Sequence, residues 1–135
     1  MRNLCYIDTS ALAKLVITEA ESALLEEWLD HHRPILISSP ITSTEIMRAV
    51  NKRNAESLML VSRVLKGVTF VPLVPEILRI AGVIRPVELR SIDAIHVATA
   101  IRSGDDVRSI ITYDKRMAEA ARLSGFKVVS PGADI

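Results

Sequence analysis

The 135 residues fit a single domain, 1–135, with enough chain to bury a core but too little for two domains of usual size. Nearly half are apolar (49%) and 24% are charged, which excludes a disordered chain, and no apolar run approaches the ~18 residues of a membrane span. A net charge of +1 argues against a protein that coats nucleic acid non-specifically, but leaves room for an enzyme that touches a few phosphates.

Leu4–Ile7 is a short apolar run that predicts a buried strand and ends at Asp8. The single cysteine, Cys5, lies inside it as a small hydrophobe, so no disulfide framework is possible within one chain. Asp8 also interrupts any signal-peptide pattern, and together these features predict a cytoplasmic protein. Helices are expected over 10–16 and 20–30, the second with Leu24, Leu25, Trp28 and Leu29 as one apolar stripe. His31, His32, Arg33 and Pro34 are expected to break it as an exposed loop. Residues 35–37 predict the second strand. Ser39-Pro40 then reads as N-cap and first helical position of a helix reaching about Lys52.

Residues 51–54 read as a break before a helix over Ala55–Leu65, whose apolar positions spread too widely for one core face. Such a helix is either buried on two sides or carries a face for a partner chain. A third strand is expected over 68–71 and a helix over 75–83. Ser91 is placed to cap a helix over 92–102, which Ser103-Gly104 would end. A fourth strand is expected over 110–112, a helix opened by Asp114 and running to Leu123, and a last strand over Lys127–Val129. Short apolar runs alternating with amphipathic stretches predict an α/β fold on a mainly parallel sheet.

Four carboxylates fall where strands end or helices begin: Asp8, Glu45, Asp93 and Asp114. Each alone has a purely structural explanation. Asp8 or Ser10 can cap the first helix, Thr42-Ser43-Thr44-Glu45 fits a capping box, Asp93 suits a helix dipole, and Asp114 suits an N-cap. Their arrangement is more telling, because parallel strands deliver Asp8 and Asp114 to one sheet edge, where the helices holding Glu45 and Asp93 must also start. At ~4 Å and an effective dielectric of about 20, each like-charged pair costs on the order of 4 kcal/mol. Hard divalent cations relieve that repulsion, and carboxylates plus water suit Mg²⁺ or Mn²⁺.

The segments YIDTSALAKL, ITSTEIMRA, SIDAIHVATA and ITYDKRMAEAA resemble the PIN-domain ribonucleases, and more narrowly the VapC-type toxins of toxin–antitoxin pairs, over residues 6–129. The resemblance implies a three-layer α/β/α domain with a central, mainly parallel sheet of four to five strands. It implies Asp8 and Asp93 as principal ligands of Mg²⁺, for which Mn²⁺ can substitute. Glu45 would complete the shell or orient water, and Asp114 would hold a second ion or an outer water. Ser10 and Thr112 match supporting hydroxyl positions. The implied reaction is hydrolysis of RNA phosphodiesters by metal-activated water, leaving a 5′-phosphate and a 3′-hydroxyl. Implied partners are the RNA, a VapB-like antitoxin and a second copy in a homodimer, with DNA reached only through the antitoxin. The Leu58–Leu65 and Leu24–Leu29 stretches are the candidate partner surfaces.

Arg48, Lys52, Lys115 and Arg116 lie near the acids in sequence and offer phosphate contacts, which position RNA without specifying its sequence. His96, three residues after Asp93, is expected to pack or hydrogen-bond near the site rather than act as a general acid. Aromatic content of 4% leaves few platforms for base stacking. Two other functions compete. A phosphohydrolase or phosphotransferase using Asp8 as nucleophile generally wants a second acid two residues on, where this chain has Ser10. A non-catalytic module of the same fold would not need the full acidic set.

Overall fold

The computed structural model describes residues 3–50 and 55–135. Five parallel strands form one sheet in the order β3-β2-β1-β4-β5. These are β1 (Leu4–Ile7), β2 (Ile35–Ser38), β3 (Val68–Phe70), β4 (Val107–Ile111) and β5 (Lys127–Val129). The helices between them are α1 (Thr9–Val16), α2 (Ser22–His32), α3 (Ile41–Val50), α4 (Ala55–Leu65), α5 (Pro75–Ala81), α6 (Ser91–Arg102) and α7 (Lys115–Leu123).

β1 is the middle strand, and its composition explains why. A strand covered on both faces reads as a continuous apolar run, as Cys5, Tyr6 and Ile7 do, all buried. Alternate side chains enter opposite layers. Cys5 and Ile7 join a core with Leu12, Leu25, Ile46 and Val61, from α1 to α4. Tyr6 joins Ala100, Ile110 and Ala121, under α6 and α7. Burying each such Leu or Ile side chain stabilises the fold by about 1.5–3 kcal/mol. Burial also pushes the Cys5 thiol up, leaving it unreactive at neutral pH.

Several local expectations need correction. His31 and His32 do not form a loop: α2 runs through both, with Trp28 stacked on His32, and ends where Arg33 adopts a left-handed conformation at φ 45°. Ser91 does not cap α6; it is the first helical residue and Arg90 holds the cap position without a side-chain bond. β4 begins at Val107, three residues earlier than expected: Arg108 and Ser109 break the apolar run, but pairing with β1 resumes after a one-residue register shift at Arg108. α3 starts at Ile41, one residue late, so Glu45 falls in its second turn and the capping box is not formed. The break over 51–54 and the end of α3 near Lys52 lie outside the described residues.

The two candidate partner stretches divide in the fold. On α2, Leu25 is fully buried and Trp28 and Leu29 pack against the core, so only Leu24 is well exposed. On α4, Val61 is buried while Met59 (73%) and Leu60 (38%) face solvent, so that helix keeps an apolar outer face. Among the described residues, no helix is long and apolar enough to cross a membrane.

The strand order decides where a site can form. From β1 the chain moves outward to β2 and β3, and from β4 it moves the opposite way to β5. The crevice beyond the carboxyl ends of β1 and β4 is therefore the switch point, where open α/β sheets bind ligands.

Candidate active site

Asp8 follows β1 at that crevice and is 3% exposed. Its Oδ1 accepts hydrogen bonds from the Ser10 hydroxyl (2.7 Å) and the Ala11 N–H (3.1 Å), and its Oδ2 accepts one from the Thr112 hydroxyl. The N-cap of α1 is thus Asp8, and Ser10 supports it rather than competing for the position. Burial pushes the Asp8 carboxyl above the usual range, and the bonds from Thr112 and Ser10 only partly oppose this.

Both supporting hydroxyls also tie the turn after β4 to the turn after β1. Ser10 Oγ accepts the Tyr113 N–H at 2.9 Å, and Thr112 Oγ1 accepts the Asp114 N–H at 3.1 Å. Lys14 reinforces the junction, with Nζ 2.9 Å from Glu21 and 4.7 Å from the centre of the Tyr113 ring. Asp114 caps α7, its Oδ1 receiving the N–H groups of Arg116 and Met117.

Glu45 reaches the same edge from α3. Its Oε1 accepts the Thr9 hydroxyl and pairs with His96 Nε2, each at 2.7 Å. Burial raises its carboxyl, but the bonds from His96 and Thr9 outweigh that and hold it below the ordinary value. Asp93 and His96 stand three apart on α6 and share a face. Asp93 is raised, first by burial and then by the charges of Asp114 and Glu45. The fold places the four acids at one edge of the sheet: Asp93 is raised by the charges of Asp114 and Glu45, and Asp8, Glu45 and Asp93 are each lowered by His96.

The donors are oxygens throughout, which fits a hard cation. Among the described residues, no three His, Cys, Asp or Glu side chains close around a common point as a ready cage. Asp8 is recessed beneath two hydroxyls, and Asp114 is committed to its helix. Mg²⁺ keeps several waters and needs only one or two carboxylates, so a closed cage is not required for it. The same recess disfavours Asp8 as a nucleophile, since both its oxygens already accept hydrogen bonds.

Of the basic candidates, Arg48, Lys115 and Arg116 are exposed, the last two at the start of α7 beside Asp114, whereas Lys52 lies outside the described residues. Four participants were not singled out as site residues from sequence: Tyr6, Thr9, Ser38 and Thr42. Ser38 Oγ donates to the Ile7 carbonyl at 2.6 Å and pairs with Thr42 at 2.7 Å, fastening the start of α3 to the end of β1. Tyr6 carried one usable signal, its position two residues before Asp8 on a strand, which puts both on one face.

Residues 5–123 match the family profile described as PIN domain. Ribonuclease VapC46 of Mycobacterium tuberculosis is 37% identical over 126 residues, covering 93% of this chain and 96% of that protein. Ribonuclease VapC35 of the same species is 38% identical over 130 residues, with 94% and 96% covered. Among solved structures, the sarcin-ricin loop cleaving toxin VapC20 of M. tuberculosis superposes with a TM-score of 0.74 at 18% identity, covering 94% of this chain and 99% of that one. A chain of a toxin–antitoxin complex from Klebsiella pneumoniae superposes at 0.72 and 23% identity, covering 94% and 97%. At those identities the superpositions speak for the fold.

Proposed function

The chain belongs to the PIN-domain family, among its VapC-type members, and on that premise we propose that it is a metal-dependent endoribonuclease acting as the toxin of a toxin–antitoxin pair. The observation that favours this is the edge at the β1/β4 switch point, which gathers the carboxylates of Asp8, Glu45, Asp93 and Asp114, with Asp93 raised by the charges of Asp114 and Glu45. Asp8 and Asp93 would hold Mg²⁺, or Mn²⁺ in its place, with Glu45 completing the shell through a water and Asp114 meeting an outer water or second ion. A bound divalent cation would supply Lewis acidity and a more acidic water.

The remaining chemistry belongs to the chain. Ser10 and Thr112 orient the Asp8 carboxyl and favour its ionised form, partly opposing the effect of its burial. Glu45, held low by His96 and Thr9, is placed to accept a proton from the attacking water. Arg48, Lys115 and Arg116 would contact phosphates on either side of the scissile bond, with Lys52 a further candidate. Water rather than a ribose 2′-hydroxyl is the nucleophile, so the products carry a 5′-phosphate and a 3′-hydroxyl. The partners in this proposal are an RNA, a VapB-like antitoxin covering the groove beside the acids, and a second copy of the chain. The exposed Met59 and Leu60 on α4 are the apolar contact offered to one of them, and a cytoplasmic location follows from the substrate.

Incubating structured and unstructured RNAs with wild type, Asp8→Asn and Asp93→Asn, with and without Mg²⁺ or Mn²⁺, tests the assignment. Cleavage that needs the metal and both acids, with 5′-phosphate ends, is expected. Equal cleavage by all three proteins would sink it. Growth arrest on expression, relieved by co-expressing the adjacent gene's product, tests the toxin role.

A further inference from the structure

The site contains a second hydrogen-bonded chain besides the one around Asp8, and it starts in the core. Tyr6 is wholly buried, and its hydroxyl oxygen accepts the backbone N–H of Ser39 at 3.1 Å. The same hydroxyl meets His96 Nδ1, and on the far side of the ring His96 Nε2 meets Glu45 Oε1. The two rings stand edge to face with centroids 5.7 Å apart, and His96 is 2% exposed.

For a neutral imidazole, proton positions along this chain follow from donor counting. With the Ser39 N–H filling an acceptor position on the Tyr6 oxygen, the phenolic hydrogen is free to point at Nδ1, which then serves as acceptor. Nε2 consequently carries the hydrogen and donates it to the carboxylate. The other tautomer would put a bare Nε2 lone pair against Glu45 Oε1 and leave a buried phenolic hydrogen without this acceptor. We propose that Tyr6 and His96 are positioning residues for Glu45: Tyr6 fixes His96 as the Nε2–H tautomer, and His96 with Thr9 anchors Oε1 so that Oε2 is presented to the metal and water. Neither bond uses Oε2. The arrangement parallels the way outer partners set the ring and orientation of groups around metal sites, where losing one typically costs 10–100-fold.

The role assigned to Glu45 rests on the nuclease proposal, but the tautomer does not, so the test has an arm that needs neither RNA nor metal. In metal-free, full-length protein labelled with ¹⁵N-histidine, the His96 signals are identified as those lost in His96→Gln. Nδ1 is expected as the unprotonated, pyridine-type nitrogen and Nε2 as the protonated one, with Tyr6→Phe mixing the two tautomers. A wild-type Nδ1–H tautomer, or both nitrogens protonated, overturns the proposal. In the second arm, His96→Gln keeps an N–H donor for Glu45 whereas His96→Leu does not, and each is checked for a native thermal melt. Mn²⁺ affinity and RNA cleavage should fall about 10–100-fold in His96→Leu and recover most of that loss in His96→Gln. Equal losses in the two folded variants would overturn the anchoring role. If the tautomer and the Mn²⁺ ranking hold while no RNA is cut, it is the nuclease proposal that fails and the relay that stands.

Discussion

Replacing Thr112 by valine removes one oxygen from beneath Asp8 while keeping nearly the same shape, so the consequence can be followed through the contacts. The hydroxyl donates to the buried Asp8 Oδ2, accepts the Asp114 N–H and lies 3.3 Å from the Ser10 hydroxyl, and all three interactions vanish. A hydrogen bond to a charged group contributes about 1.5–3 kcal/mol. With an unfolding entropy of about 2.1 cal/mol/K per residue over 135 residues, each kcal/mol is worth roughly 3.5 °C, so Tm at pH 7 should drop by about 5–10 °C. The pH dependence carries a definite sign. Asp8 is already raised by burial, and Thr112 is the largest influence holding it down, so the variant raises it further. A carboxyl raised in the folded state contributes stability that is fully present below the unfolded value near 3.9 and is lost as pH rises through the folded value. The deficit of Thr112→Val should therefore be largest near neutrality and shrink to that of a neutral hydrogen bond, about 0.5–1.5 kcal/mol, near pH 4. Thermal melts by circular dichroism in chelator-treated buffer at both pH values would measure this. An unchanged Tm at pH 7, or a deficit that grows on acidification, would refute the reasoning.

Asp8→Asn should abolish cleavage yet raise Tm at pH 7 in metal-free buffer, because it removes a carboxyl whose ionisation burial opposes; a lower Tm in the melt would contradict that account. Lys115→Ala and Arg116→Ala should raise KM with little effect on kcat, and each should reduce the slope of log affinity against log salt by about 0.7 if it contacts a single-stranded phosphate. Binding titrations with a non-cleavable RNA at several salt concentrations would show it. Leu25→Ala, at a fully buried position between α2 and the sheet, should cost about 2–5 kcal/mol in chemical denaturation without touching the acids.

Much of the architecture was legible because each strand declares itself as an apolar run stopped by a polar residue, and the acids sit at those stops. Asp8 and Asp114 could be placed on one edge from strand direction alone. Where patterning and pairing part company, the sequence misleads. β4 carries Arg108 and Ser109, yet Leu4 pairs with Val107 and Cys5 with Ser109, so the ladder passes Arg108 by a one-residue register shift that the hydropathy does not announce. His31 and His32 sit before Arg33-Pro34 and look like a break, but the helix runs two residues further, with Trp28 stacked on His32. Of the Tyr6–His96–Glu45 chain, only a packing or hydrogen-bonding role for His96 near the site was legible. Its links join residues 90 and 51 positions apart, and no local rule reports on such contacts.

The bond from Thr112 to Asp8 spans 104 positions of chain. Asp8 emerges early during synthesis, but the hydroxyl that steadies it arrives only after β4 has paired beside β1. Closing so long a loop is among the slower events of folding, since its entropy is lost before the contact returns anything. A nascent or partly folded chain therefore exposes Asp8 without its partner hydroxyl and without Asp93 and His96 from α6. Competence for chemistry is in this way tied to completion of the fold, and a chain interrupted before β4 would be inert however much of its N-terminal half had formed.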